Sequence, residues 1–572
     1  FLSAIGLISI HNAAVILENG GDMVFNNYLI WTLFLPLGTS WSIDSIRKNL
    51  KKQPEYDAND LNQPNNACST QVFHFAYLAC LVQLSLIYIY TSINKTGEMW
   101  SDGTAVFYMY QLDTFLSPLG EFIAQHIGLN LSKLMTLSTI PAQIYASFAI
   151  LCPVFQPWLR RIALVIFIGF HGVLAISVHI GLFSWVMLAA LIFLLSKQDM
   201  DILSNLLSRC CKSKYTVFYD RDCGFCHFIS RILRRMDVFS RLTWADRLTE
   251  GNKPKNVDTL LETTIVIWDP KTDEIWTRHE GFSRIISALP LGSLFAWILR
   301  LPGLEKLFGY IYDWVSNNRT SISKMTGQPA CGIVQEGATP KVKREENPIV
   351  IKCRKGIWVV SNILVLTLII GAVDYSTHIN DGLQKRFSKE EKKIKKSAQS
   401  ANFQSPRRTM KRILLYPRMY QKWNMFSPKV ITYEKWVIAD ITFENGETLS
   451  LFRSSDDIVN QFKREYFPPY QNQFWRKLFS RLGKSSYQRH IPKFKNWLTD
   501  TDYFPKYSGR KVEKVKLWQL SEKSPDLDTQ YKERPKVTKR ELKKTQRGAR
   551  KTKKSSPKKN QKKPPPNKLK LK

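Results

Sequence analysis

Residues 215–227 read YTVFYDRDCGFCH. A β-branched and aromatic run ends at Tyr219; Asp220, Arg221 and Asp222 follow, and then Cys223 and Cys226 with two residues between them. The run suits a strand. The residues after it have helical spacing, with Phe228, Ile232 and Leu233 on one side and Arg231, Arg234 and Arg235 elsewhere. A cysteine at a helix N-terminus is stabilised as thiolate by unpaired backbone N–H groups and the helix dipole. This pattern puts Cys223 at the exposed end and Cys226 one turn in, close enough to resolve a mixed disulfide. Arg221 and His227 add positive character. Asp220 and Asp222 oppose it, and one of them can take the resolving thiol's proton. Two other readings stay open, half a metal site and an inert structural pair. A structural zinc site needs four ligands, and here Cys210 and Cys211 are adjacent and Cys331 is alone.

At 572 residues the chain is too long for one core. Its formal charge of +36 is uneven: residues 532–572 hold 19 Lys/Arg against two Glu. That tail has almost nothing apolar to bury and is expected to be disordered, with anionic lipid, RNA or an acidic protein as its partner. Nine cysteines in so long a chain exclude a disulfide scaffold, and Cys68, Cys80 and Cys152 read as buried thiols in or near apolar runs. The chain opens at Phe1 inside an apolar segment, which suggests a piece lacking its N-terminus.

Apolar runs at 1–17, 24–41, 71–93, 133–156, 161–178, 180–196 and 356–374 approach the length of a bilayer span, about 20 residues. Polar stretches such as 47–67 separate them as loops. The chain is therefore expected to be an integral multipass membrane protein, in the bacterial cytoplasmic membrane. Its fold class is a multipass α-helical bundle with an inserted small α/β or α+β domain and a C-terminal β-containing domain. The expected segments are the bundle over 1–200, the α/β domain over 215–335, a last span at 356–374, a surface domain at 410–530 and the tail. IVIWDPKTDEIWTRH reads as one hairpin, and Asn445-Gly446 marks the turn of another.

YDRDCGFC, then LTWAD, IVIWD, EGFSRII and NRTSISK, in that order over 215–335, resembles the DCC thiol-disulfide oxidoreductase family, named for its Asp-x-x-Cys-x-x-Cys. The resemblance implies a thioredoxin-like fold with Asp220, Cys223 and Cys226 as signature residues. No proline precedes TTIVIW, where thioredoxins carry the one that shapes the substrate groove.

The front of the chain has its own signals. Lys95 ends a long apolar run, with Trp100 and Gly103 beyond it. A snorkelling lysine is the ordinary reading, and a desolvated lysine serving as a base is the functional one. His171 and His179 lie inside an apolar pair, where a polar side chain is costly. NGGD at 19–22, FLPLGTSWSID at 34–44 and NKTGEMWSDGTAV at 94–106 resemble the HTTM domain, related to vitamin K-dependent gamma-carboxylase. In that carboxylase a lysine matching Lys95 deprotonates the reduced quinone. The match implies Lys95 as base and His171, with Gly181 and Phe183, at a quinone site. This sequence departs from the pattern at Ser42-Ile43-Asp44, where the carboxylase has Asn-Asn-His, and at Gln143, where an acid is common.

The function expected is membrane-bound thiol-disulfide exchange with a protein or small-molecule partner, coupled to a quinone-type lipid. No covalent cofactor and no metal is expected. A gamma-carboxylase-like enzyme and a non-catalytic scaffold recruiting anionic partners through the tail are the alternatives. YQKWNMFSP at 420–428 reads as a membrane-interface anchor without a catalytic role.

Overall fold

Polar punctuation decides where the front helices start. Helix α1 spans Leu2–Ala13 and α2 spans Gly20–Thr32. NGGD is a capping box: the Asn19 side chain accepts from the Gly21 and Asp22 amides, and Asp22 Oδ2 accepts the Asn19 amide at 2.9 Å. The helix expected from residue 24 thus begins four residues earlier, where its orphan N–H groups find acceptors. There follow α3 (Phe75–Asn94), the short α4 (Glu98–Ser101) and α5 (Ala105–Met109), α6 (Pro118–His126), α7 (Leu129–Leu151) and α8 (Trp158–Ser177). Gly181, at φ +71°, turns the chain into α9 (Phe183–Ala190), which tightens to a 3₁₀ turn over Leu191–Leu194. Helix α10 (Lys197–Cys210) comes next.

The structure, a computed structural model, describes residues 1–39, 42–44, 74–210, 214–220, 223–237, 239–249, 251–289, 292–325, 348–380, 404–419, 422–452, 473–500, 507, 509–524, 527 and 538–543. The polar stretch 47–67, Cys68, Arg221, Asp222, Cys211, Cys331 and residues 326–335 lie outside them.

A mixed sheet follows the helices. β1 (Tyr215–Phe218) leads through α11 (Gly224–Met236) to β2 (Leu242–Ala245), which pairs parallel with it. After α12 (Val257–Leu261) come β3 (Val266–Trp268) and β4 (Ile275–Thr277), each antiparallel to its neighbour, giving the order β2-β1-β3-β4. The hairpin closes as read, with the Asp269 amide on Glu274 O and the Trp268 indole on Asp273 Oδ1. Helices α13 (Arg278–Ala288), α14 (Ser293–Ala296), α15 (Leu304–Asn317) and α16 (Arg319–Met325) complete a thioredoxin-like domain around buried Val217, Trp244, Ile267 and Ile285.

Helix α17 (Pro348–Ile379) and α18 (Gln404–Leu415) come after it. Among the described residues four helices are long and apolar enough to cross a membrane: Phe75–Asn94, Leu129–Leu151, Trp158–Ser177 and Pro348–Thr377. Three of the seven expected spans, 1–17, 24–41 and 180–196, fold as shorter helices because caps and turns interrupt their apolar runs. α3 is the inner helix, 72% buried against 17% for α8. The outward faces are apolar, with Leu134, Phe148, Val165, Ile168, Val360 and Ile363 exposed, an arrangement suited to lipid rather than water. Cys80 is buried, while Cys152 is half-buried beyond the end of α7.

By contacts the chain forms two compact units, Phe1–Met109 with Pro118–Val430, and Tyr110–Ser117 with Ile431–Lys572. Residues 410–430, expected with the surface domain, fall in the first. In the second, β5 (Tyr433–Phe443) and β6 (Thr448–Leu451) make the hairpin marked by Asn445-Gly446, with Gly446 at φ +82°. Helices α19 (Gln473–Leu482) and α20 (Ile491–Leu498) precede β7 (Val512–Lys523). The tail departs from its expected disorder at β8 (Thr538–Glu541), which pairs with β7, while the Leu542 amide donates to Leu517 O. A free sheet edge offers ladder bonds to any strand, and a basic strand takes them with its charges in solvent. Residues 544–572 lie outside the described residues.

Close approach of α2 and α9 depends on a missing side chain, since a Cβ on Gly21 would stand 2.6 Å from the Phe183 amide. Gly21→Ala is expected to destabilise the bundle by about 1–3 kcal/mol, read as a lowered midpoint of helix unfolding in detergent. An unchanged midpoint would contradict this packing.

Candidate functional site

The chain crosses from strand to helix at the thiols. The Tyr219 amide donates to Ala245 O, which extends β1 by one residue, and Asp220 follows. Cys223 is the N-cap of α11, in extended backbone (φ −100°, ψ 110°), and the His227 amide donates to its carbonyl at 3.0 Å. Cys226 lies one turn in, and among the described residues neither cysteine forms a disulfide. The expected exposure of Cys223 is corrected: it is 0% exposed, and Cys226 is half-buried at the edge of the core. Helical phase explains this, because Cys223 falls in register with His227, Ser230 and Arg234, the buried face of the helix. His227 accordingly packs 5.9 Å from the Tyr219 ring rather than presenting an exposed cation.

Tertiary structure adds partners that the motif does not announce. Asp220 forms an ion pair with Arg319 at 3.6 Å, and the same guanidinium donates to Glu262 O at 3.0 Å. Arg319 opens α16 within NRTSISK, so the last motif of the domain reaches the first. Tyr312, on α15, accepts the Ile265 amide at 3.1 Å and shares a 2.9 Å hydrogen bond with the Thr264 hydroxyl. Burial raises its phenol pKa, and the nearby Cys226 charge adds to that. Where thioredoxins carry a proline before the third strand, this chain therefore has Thr264 and Ile265 tied to a tyrosine. Among the described residues no three His, Cys, Asp or Glu side chains gather as metal ligands.

A second polar cluster closes one end of the helical bundle. Lys95 is the C-cap of α3, buried at 8% exposure, and lies one residue beyond the span. Its Nζ donates to Gln143 Oε1 at 3.1 Å and Thr91 O at 3.3 Å, and stands 4.9 Å from the centre of the Trp100 ring. No carboxylate pairs with it among the described residues. Burial therefore brings its ammonium pKa down to about 7. Gln143, the departure from an acid, is its main acceptor and also takes the Ser92 hydroxyl at 3.2 Å. His171 Nε2 is 2.8 Å from the Tyr88 hydroxyl, with Phe183 edge-on at 5.7 Å. Tyr88 and Lys95 are seven residues apart on one face of α3, so the two polar groups sit about 10 Å apart along it.

Trp423, expected at a membrane interface, lies inside the bundle at 1% exposure. The Asn94 amide donates to Trp423 O, Asn424 Oδ1 and Asn380 Oδ1 at 2.9–3.0 Å, the Trp100 indole to Phe426 O at 2.9 Å, and the Gly97 amide to Pro428 O at 2.9 Å. Strap and lysine loop thus satisfy each other's polar groups, and a Cβ on Gly97 would meet Pro428 O at 2.5 Å. Asn94 and Asn424 stand inside the quoted stretches 94–106 and 420–428 without being singled out there, and Asn380 lies in neither. The odd feature in sequence was only a run of polar residues beside an apolar one.

Residues 217–325 match the family described as DCC1-like thiol-disulfide oxidoreductase. No curated protein and no solved structure matches the chain.

The Asp220–Arg319 pair is expected to govern the reactivity of the thiols. Arg319→Gln should slow alkylation of Cys226 at neutral pH about three-fold or more, since a nearby cation favours anions, and Arg319→Lys should restore most of it. Equal rates in all three proteins would remove Arg319 from the site.

Proposed function

We propose that the chain is a membrane-bound thiol-disulfide oxidoreductase whose reactive pair is Cys223 and Cys226. The observation that carries this reading is their position: two cysteines one turn apart, the first capping a helix that leaves a central strand, inside the family-matched segment. The helix N-terminus favours the thiolate at Cys223. That thiolate attacks one sulfur of a partner disulfide, forming a mixed disulfide and releasing the first partner thiolate. Asp220, held by its ion pair with Arg319, takes the Cys226 proton. The Cys226 thiolate then attacks the Cys223 sulfur and releases the second partner thiolate. The protein ends with a Cys223–Cys226 disulfide, and the partner has gained two electrons. Because Cys223 is buried, the first attack requires its sulfur to become accessible as the partner docks.

The resemblance of residues 1–200 extends this reading to a quinone. The residues present fit a quinone head group in chemistry: a buried amine, and a buried imidazole whose Nδ1 has no hydrogen-bond partner, among aromatic rings. Lys95 and His171 would hold its oxygens, and when bound it supplies a two-electron acceptor for the reduced thiols. Lys95, with a pKa near neutrality, is suited to move a proton there.

The reading makes two predictions for the full chain in vesicles. Cys223→Ser should abolish disulfide exchange, while Cys226→Ser should accumulate a mixed disulfide with the partner. Trapping by Cys223→Ser instead would reverse the two roles, and wild-type exchange in both variants would end the redox reading. Lys95→Ala should leave Cys226 alkylation unchanged and slow quinone-dependent reoxidation of the thiols about 100-fold. Unaltered reoxidation would separate the lysine from the redox chemistry.

A further inference from the structure

The thioredoxin-like domain carries an apolar face that its thiol chemistry does not use. On α15, Leu307, Tyr310, Ile311 and Trp314 recur at helical spacing and are all exposed, Tyr310 at 72% and Trp314 at 56%. Phe295 of α14 and Trp297 just after it are exposed as well, at 61% and 52%. Lys306 flanks the stripe on the helix, and Arg300 is exposed in the preceding turn. Glu305 and Tyr312 lie on the far side by helical phase, so the stripe faces away from the tyrosine that reaches the thiols. Asp313, the nearest acid, is paired with Arg278. A water-soluble domain seldom leaves so many large apolar side chains in one exposed stripe.

The chain on either side says what covers it. The domain is joined at both ends to the helical bundle. Two residues separate α10 from the last turn of that bundle, and Arg161 of α8 holds its Asp199 at 2.5 Å. α10 itself exposes Ile202, Leu203 and Leu206, and α17, a membrane-length helix, follows the domain. Trp and Tyr with basic residues at the rim are the composition of a membrane–water interface. We propose that Phe295, Trp297 and the α15 stripe rest in the headgroup layer of the bilayer that the flanking helices cross, with Arg300 and Lys306 on lipid phosphates. This inference rests on exposure, spacing and connectivity, and is independent of the redox reading.

The test is photolabelling of the full-length protein in phosphatidylcholine vesicles containing one-quarter phosphatidylglycerol and a diazirine phospholipid, with adducts located by mass spectrometry. Adducts are expected on peptides spanning 293–314 as well as on α8, which serves as the positive control. Leu307→Glu with Trp314→Glu should lower the 293–314 adducts at least about five-fold while leaving Cys226 alkylation, the check of domain folding, unchanged. Adducts confined to the spans in the wild-type protein would overturn the proposal. So would capture of 293–314 by a second protein chain instead of lipid.

Discussion

The Asn94 amide gathers oxygens from two distant parts of the chain, one from Asn380 at the end of α17 and two from the 423–424 strap. At the end of an inner helix, unpaired polar groups are costly, and this cluster is the arrangement that satisfies them. Its consequences spread outward. The strap is drawn into the bundle, Trp423 is buried rather than set at an interface, and Trp100 and Gly97 find acceptors in Phe426 and Pro428. Lys95 is left with neutral oxygens and an aromatic ring for company. A lysine in such a setting differs chemically from one that snorkels to water, even though the two are alike in sequence.

The thiol domain follows a different constraint. Its sheet buries nearly every residue of β1 and β3, so reactive groups have to stand where strands end. The Cys pair does so at the end of β1, Thr264 stands before β3, and Tyr312 and Arg319 reach the same place from the C-terminal helices. A proline would preclude the Ile265-type amide bond at its own position. The tyrosine hydrogen bond is thus an alternative way of shaping the backbone beside the cysteines.

Several elements were legible in the residues because their determinants are local. The hairpin at Asn445-Gly446, the one around residues 269–274, the helix after Cys223 and the division between the runs 161–178 and 180–196 all follow from turn chemistry and periodicity. Apolar length alone was less informative. It marked seven stretches, and capping at Asn19 and the turn at Gly181 shortened some of them to helices of a dozen residues. Composition likewise led to an expectation of disorder throughout the tail, which β8 overturns because its pairing depends on an edge that β7 provides.

The sequence by itself determined the order of parts: an apolar helical front, a strand–Cys-x-x-Cys–helix junction, a further long apolar helix and a second β-bearing unit. Each is written in the spacing of neighbouring residues. Only the tertiary structure decided that Cys223 is the inner thiol, that Asp220 answers to Arg319, and that Lys95 meets Gln143 under the 423–428 strap. Those outcomes join residues far apart in the chain, and burial and pairing at such distances are properties of the packed molecule rather than of any local pattern.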